Sequence, residues 1–308
     1  LAQWDINQIP DQSGKIIVIT GASSGLGLCC AETLAGRGAH VIMAVRNPEK
    51  AASTARAIRQ KHPAASIAIE QLDLASLASI AAFATRTNTA NTRIDVLLNN
   101  AGLGMQPHRI VTVDGFEQQF GTNHLGHFAL TAQLIPALLR AEKPRIVTVA
   151  SMAHRRGAIR WADPNFATGY SGRTAYNQSK LANLMFALQL AARATAQSSR
   201  IESIAAHPGL ALTGFLAATQ MPSYKQQVGI LASKLIGQSA EAGSWPLLYA
   251  SAMPDARNGD YWGPNGFLEI RGTPARAKCW PQALVTADQI RLWTLSESLT
   301  GTVFPPLA

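Results

Sequence analysis

Cysteine is scarce, with three in 308 residues (Cys29, Cys30 and Cys279) and no C-x-x-C spacing. An odd set of this kind excludes a disulfide framework and points to a reducing compartment; the adjacent Cys29 and Cys30 lie in a helical pattern and read as small core residues. Acidic residues are also few, 18 against 27 Lys plus Arg, for a net charge of +9. The basic residues are nevertheless scattered, and no Lys/Arg run of five with interleaved aromatics exists, which argues against nucleic acid as a partner. Metal-ligand clusters are lacking too: His124 and His127 stand three apart without a nearby carboxylate and read as structural, so no metal is expected. No long apolar run appears, since the richest stretch, 204–216, is broken by His207, Pro208 and Gly209. Residues 1–5 carry neither a basic n-region nor an apolar h-region. The expectation is a soluble, cytoplasmic protein without a transmembrane segment, and neither repeats nor low-complexity linkers interrupt it.

Against these absences stands a 47% hydrophobic content, ample for a sizeable core and best divided as one α/β domain over 1–308. Short β-branched runs alternate with helical patterns. Strands are expected at 15–20, 40–45, 66–71, 96–99, 145–149, 201–206 and 260–262, with helices at 48–62, 77–87, 115–139, 240–251 and 283–299. Such alternation predicts a doubly wound parallel sheet of about seven strands with helices on both faces and ligands at the carboxyl ends of the strands.

The first strand runs into Gly21-Ala22-Ser23-Ser24-Gly25-Leu26-Gly27 and then a helix. Glycines there let the backbone turn tightly and approach a pyrophosphate, whose charge meets amide hydrogens at the helix amino end. Arg46 ends the second strand about twenty residues later, with Lys50 one turn on; an arginine in that position suits a 2′-phosphate and favours NADP(H), with NAD(H) as the lesser alternative. Asp73 and Leu74 fall where an adenine edge would lie, and Asn100-Ala101-Gly102 offers small residues under which a cofactor can pass. Asn123 sits in mid-helix, where asparagine needs a polar partner or a function. Tyr176 and Lys180, four apart, share one helical face. A tyrosine, with a reference pKa of roughly 10, becomes a usable proton donor and acceptor if a fixed cation favours its phenolate.

These residues together, Thr20 to Gly27, Asn99-Asn100-Ala101-Gly102, Asn123, Ser151, Tyr176, Lys180 and His207-Pro208-Gly209, resemble the short-chain dehydrogenase/reductase family over nearly the whole chain. The phrases Phe120 to Phe128, Ser151 to His154 and Ser179 to Asn183, with the 25-residue step from Ser151 to Tyr176, resemble its retinol-dehydrogenase-like branch. The resemblance implies a Rossmann-type fold with a cofactor-binding part over roughly 13–150 and a catalytic, substrate-covering part over 151–308. It implies an NADP-dependent alcohol dehydrogenase/carbonyl reductase using direct hydride transfer. Tyr176 would then be the acid/base, Ser151 a donor to the substrate oxygen, and Lys180 the cation that lowers the tyrosine and holds the ribose. Asn123 would fix a water beside Lys180. Pro208, Gly209 and Thr213 would line the nicotinamide side, and Asp73 and Asn100 the adenosine side.

Ala150 departs from the serine that relatives often carry, but Ser151 aligns with the catalytic one. Light-dependent protochlorophyllide reductase is a weaker resemblance, because its insertion before the tyrosine and its pocket cysteines are missing here. A catalytically silent NADP(H)-sensing protein would have lost the tyrosine or lysine. The apolar stretch 210–237, with a turn marked by Pro222 and Tyr224, suits a bulky apolar alcohol or carbonyl substrate and equally a plain core or interface. Residues 268–280 fit a flap or an interface, and the resemblance admits a homodimer or homotetramer.

Overall fold

The computed structural model describes residues 4–90, 92–212 and 237–308. Among them an eight-stranded sheet forms in the order β10-β9-β6-β5-β4-β1-β2-β3. The strands are β1 Ile16–Thr20, β2 His40–Val45, β3 Ser66–Gln71, β4 Val96–Asn99, β5 Arg145–Val149, β6 Glu202–Ala206, β9 Tyr261–Pro264 and β10 Pro274–Arg276. All but β10 pair in parallel. A separate two-residue ladder joins β7 Ala211–Leu212 to β8 Gln238–Ser239.

Alternation along the strands divides the core between the two faces. Ile17, Ile19, Val41, Met43, Val96 and Leu98 point one way, towards helices Gly25–Gly36 and Ala240–Ala252. Val18, Ile42, Ala44, Leu97 and Ile146 point the other, towards helices Leu77–Thr89, Gly126–Leu138 and Thr286–Thr300. Parallel strands buried on both faces read as continuous apolar runs for this reason, each buried Ile or Val contributing about 2 kcal/mol.

Three features depart from the sequence pattern. The sheet gains an eighth, antiparallel strand, β10, within 268–280, the stretch that fits a flap or an interface; its three residues, led by a proline, are too short for an alternation to register. The long helix expected from 115 begins instead at Gln118, where the Glu117 carboxylate accepts from the Gln119 and Phe120 amides at 3.0 and 2.7 Å. Before Gly126–Leu138 begins, the backbone passes through a π-turn, Gly121–Leu125, which contains Asn123. No helix among the described residues is long and apolar enough to cross a membrane.

Candidate active site

Six loops leave the carboxyl ends of adjacent parallel strands, and the sequence-predicted residues lie on them or on the helix beneath. Gly21 follows β1, Arg46 follows β2, Asp73 lies just past β3, Asn100 follows β4, Ser151 lies just past β5, and Pro208 and Gly209 lie just past β6.

The glycine turn is shaped by close approach as much as by backbone angle. Gly21 has φ +68° and Gly25 φ +56°, and a Cβ on Gly27 would fall 2.5 Å from the Asn100 amide nitrogen and 2.6 Å from the Gly21 carbonyl oxygen. Thr20 holds this corner together. Its hydroxyl accepts from the Asn100 and Ala101 amides, both at 2.9 Å, and its carbonyl accepts from Asn100 Nδ2 at 2.8 Å. The Asn100 side chain is thus committed to the glycine turn.

The third contact of the Thr20 hydroxyl is His127 Nε2 at 2.9 Å, closer than the 3.4 Å contact to the Leu98 carbonyl. His127 Nδ1 lies 2.9 Å from the Asn123 carbonyl. Burial pushes this ring down to about 4, so it is neutral at pH 7 and carries one N–H. That hydrogen must sit on Nδ1, because a carbonyl only accepts; Nε2 therefore accepts from Thr20, and all the polar groups are matched. His127, read as structural from its spacing, connects the π-turn of Asn123 to the glycine turn.

Asn123 is fully buried, and its side chain is divided between loop and helix. Oδ1 accepts from the Leu103 amide at 2.7 Å, while Nδ2 donates to the Leu103 carbonyl at 3.1 Å and to Ser179 Oγ at 3.0 Å. A π-turn inserts one residue into the helical repeat and redirects side chains, a device frequent at functional sites.

Tyr176, Lys180 and Asn183 form one stripe on helix Gly172–Ala196, which is capped by Ser171 and buried along most of its length. Lys180 Nζ and Asn183 Nδ2 both donate to the Val149 carbonyl at 3.1 Å, fastening the helix under the end of β5. The ammonium is 6.0 Å from the Tyr176 ring centroid. A Cβ on Gly102 would stand 3.2 Å from Asn123 Oδ1 and 3.5 Å from Lys180 Nζ, so both groups border one point above that glycine. The Ser151 side chain lies within hydrogen-bonding reach of the Tyr176 phenol and counters the effect of burial on it. Ser151 also caps the turn Met152–Arg156, accepting from the Ala153 amide at 3.2 Å.

The electrostatics differ from the expectation that Lys180 lowers the tyrosine. Burial pushes Tyr176 up to about 12, with the Ser151 hydrogen bond opposing, and burial lowers Lys180 to about 8. Desolvation penalises the charged form of each group, and the lysine spends a donor on Val149.

The residues around the glycine turn fit a dinucleotide. Ser24 at the amino end of helix Gly25–Gly36 makes no side-chain cap bond, which leaves first-turn amides for a ligand. Arg46 and Lys50 are exposed and have no ion-pair partner among the described residues. Asp73 accepts from the Ala75 amide at 2.9 Å, and Leu74 is buried with its carbonyl against Gly126. Ser23 and Leu26 are half-buried, Ala101 is half-buried and Gly102 exposed. Ala150 is buried and its amide donates to Ala206. Thr213, the apolar stretch after 212 and the turn at Pro222 and Tyr224 lie outside the described residues. No group of three or more His, Cys, Asp or Glu able to hold a metal occurs among the described residues.

Two polar groups escaped the sequence reading. His207 stands in the sequence as part of a His-Pro-Gly phrase, and Glu269 falls inside the 268–280 stretch, where no period singles it out. In the structure His207 is fully buried and paired with Glu269 at 3.0 Å. A histidine at the end of a buried strand, needing a partner, was the available signal.

The family model described as short chain dehydrogenase matches residues 15–222. Retinol dehydrogenase 14 of Mus musculus is 34% identical over 300 residues, covering 94% of this chain and 86% of the relative. A crystal structure of a Mycobacterium paratuberculosis protein is 38% identical with a TM-score of 0.82, covering 99% of this chain and 100% of that one. A short chain dehydrogenase from Shigella flexneri, complexed with NADP, is 25% identical with a TM-score of 0.63, covering 82% and 98%.

Proposed function

Because the chain belongs to the short-chain dehydrogenase family, in its retinol-dehydrogenase-like branch, we propose that it interconverts an alcohol and its ketone or aldehyde on a bulky apolar substrate, using NADP(H) in preference to NAD(H). The observation that carries this reading is the hydroxyl pair of Ser151 and Tyr176 above a buried Lys180 and Asn123. A bound nicotinamide dinucleotide would supply or accept the hydride.

The chain's own residues then handle the proton and the growing charge. In the reducing direction Tyr176 Oη gives its proton to the substrate oxygen, and Ser151 Oγ donates a hydrogen bond to that oxygen as charge builds on it. A well-aimed donor of this kind lowers the barrier by about 3 kcal/mol. With its phenol held up to about 12 by burial, Tyr176 is protonated at neutral pH and has a proton to give in the reducing direction. Lys180, fixed by Val149, and Asn123, fixed by Leu103 and Ser179, keep the space beside Gly102 polar, where a ribose hydroxyl or a water can take up the proton path. Arg46 and Lys50 provide exposed cations for a 2′-phosphate. The retinol dehydrogenase relative supports the apolar substrate class.

The test is a panel of ketones, aldehydes and terpenoid or steroid alcohols followed by NADPH absorbance, with Tyr176→Phe beside the parent. The variant should lose roughly 1000-fold in kcat while binding NADPH nearly as well. Near-normal turnover in Tyr176→Phe overturns the mechanism.

A further inference from the structure

We infer that Glu269 is a positioning residue that fastens the loop carrying Ser151 to the loop carrying Pro208 and Gly209, and so sets the nicotinamide side of the crevice. The inference rests on the dinucleotide reading above. Glu269 ends the turn Phe267–Glu269, in which Leu268 and Glu269 both adopt left-handed backbone, with φ +52° and +60°. Such a conformation is unfavourable for a residue with a side chain and persists only where the surroundings impose it. Apolar burial does not impose it here, since Phe267 is 83% and Leu268 59% exposed.

What holds the turn is polar. Arg155 Nη2 donates to Glu269 Oε2 at 2.5 Å, and Arg155 Nη1 donates to the Leu268 carbonyl at 3.2 Å. The Lys278 amide donates to Oε1 at 3.0 Å. His207 Nε2 lies 3.0 Å from Oε2, and its Nδ1 accepts from the Gly209 amide at 3.2 Å. The ring must therefore carry its hydrogen on Nε2 and donate it to the carboxylate. One carboxylate oxygen thus receives a group from each of two loops.

Both loops are tightly fitted to this arrangement. Arg155 belongs to the turn Met152–Arg156 that Ser151 caps, and His154 of the same turn donates Nδ1–H to the Ser151 carbonyl at 2.7 Å. Gly209, at φ +63°, has no room for a Cβ, which would fall 2.3 Å from the Ile270 carbonyl oxygen; the Leu210 amide donates to that same carbonyl at 2.8 Å. The Tyr261 ring stands between His154 and His207, with centroids 5.6 and 5.2 Å away. Displacing Glu269 therefore releases Ser151's turn and Gly209's turn together, while the glycine turn and Arg46, several strands away, keep their own contacts.

The test compares two ligands on the full chain: NADPH, which spans the whole crevice, and adenosine 2′,5′-bisphosphate, which reaches only the adenosine half. Affinities are read by NADPH fluorescence and by calorimetry, independent of turnover. Glu269→Ala should weaken NADPH roughly 10-fold and leave the bisphosphate within about twofold. Glu269→Gln keeps a neutral acceptor for His207 and Arg155 and should recover part of the loss; it carries the same comparison if the alanine variant does not fold. Adding Arg155→Met to Glu269→Ala should cost little more, because both act through one contact. An equal loss for both ligands, or none for NADPH, overturns the positioning role. A parent chain that binds neither ligand overturns the dinucleotide reading itself, and the inference with it.

Discussion

Lowering the pH from 7.5 to 5 should remove about 6 kcal/mol from the stability of the fold through three buried imidazoles. From an ordinary value of 6.5, burial pushes His124 down to about 3 and His127 and His154 to about 4. Each ring contributes fully while both folded and unfolded chains leave it neutral. Once the pH falls below about 6.5 the unfolded chain takes up a proton that the folded ring refuses, so stability declines until the folded value is passed. At pH 5 each ring has given up about 2 kcal/mol, and the sum of three is a large part of an ordinary folding free energy. His207 moves in the same direction and adds to the loss. Urea unfolding at the two pH values measures the difference directly. His124→Phe isolates one share, because that ring already stacks on Phe120 at 5.2 Å and contacts Phe128 and Phe186, and Ser296 retains the Leu292 carbonyl as partner. The variant should reduce the pH-linked loss by about 2 kcal/mol. Equal stability at both pH values in the parent, or an undiminished loss in the variant, refutes the reasoning.

Two further outcomes concern the cofactor end. Arg46→Asp should lower kcat/KM for NADPH roughly 100-fold and leave NADH unharmed or improved, since it replaces the phosphate's cation with a like charge. If the parent already uses NADH as well as NADPH, the assignment of Arg46 is wrong. Gly27→Ala should destabilise the chain by about 2 kcal/mol and weaken dinucleotide binding, because the new methyl meets an Asn100 amide that is tied to Thr20 and cannot withdraw. A denaturant midpoint and an NADPH titration unchanged from the parent would count against it.

Most of the sheet was legible because buried parallel strands announce themselves as short β-branched runs: β2 to β5 fall where the runs do, and the neighbouring strands within a residue or two. The meeting of Tyr176 with Lys180 is local geometry, one helical turn on one stripe. What was not legible depends on distant partners. The π-turn at Asn123 is tied to a ring, His127, that reaches Thr20, 107 residues away in sequence. Glu269 lies in a stretch without periodicity, and its meaning comes from Arg155 and His207, both far away in the chain. The upward shift of Tyr176 likewise follows from burial, which spacing does not report.

The short antiparallel strand at one margin of the sheet bears on how copies of this chain can meet. β10 is three residues long and opens on Pro274, which has no amide hydrogen to donate. Its guanidinium-bearing end, Arg276, is drawn to Asp260 and lies over the Trp262 ring, 5.1 Å from its centroid. An incoming strand therefore finds almost no ladder to extend, and that margin is guarded against runaway stacking. Self-association on this side must be built from side chains meeting side chains, a contact that sequence change can tune one residue at a time.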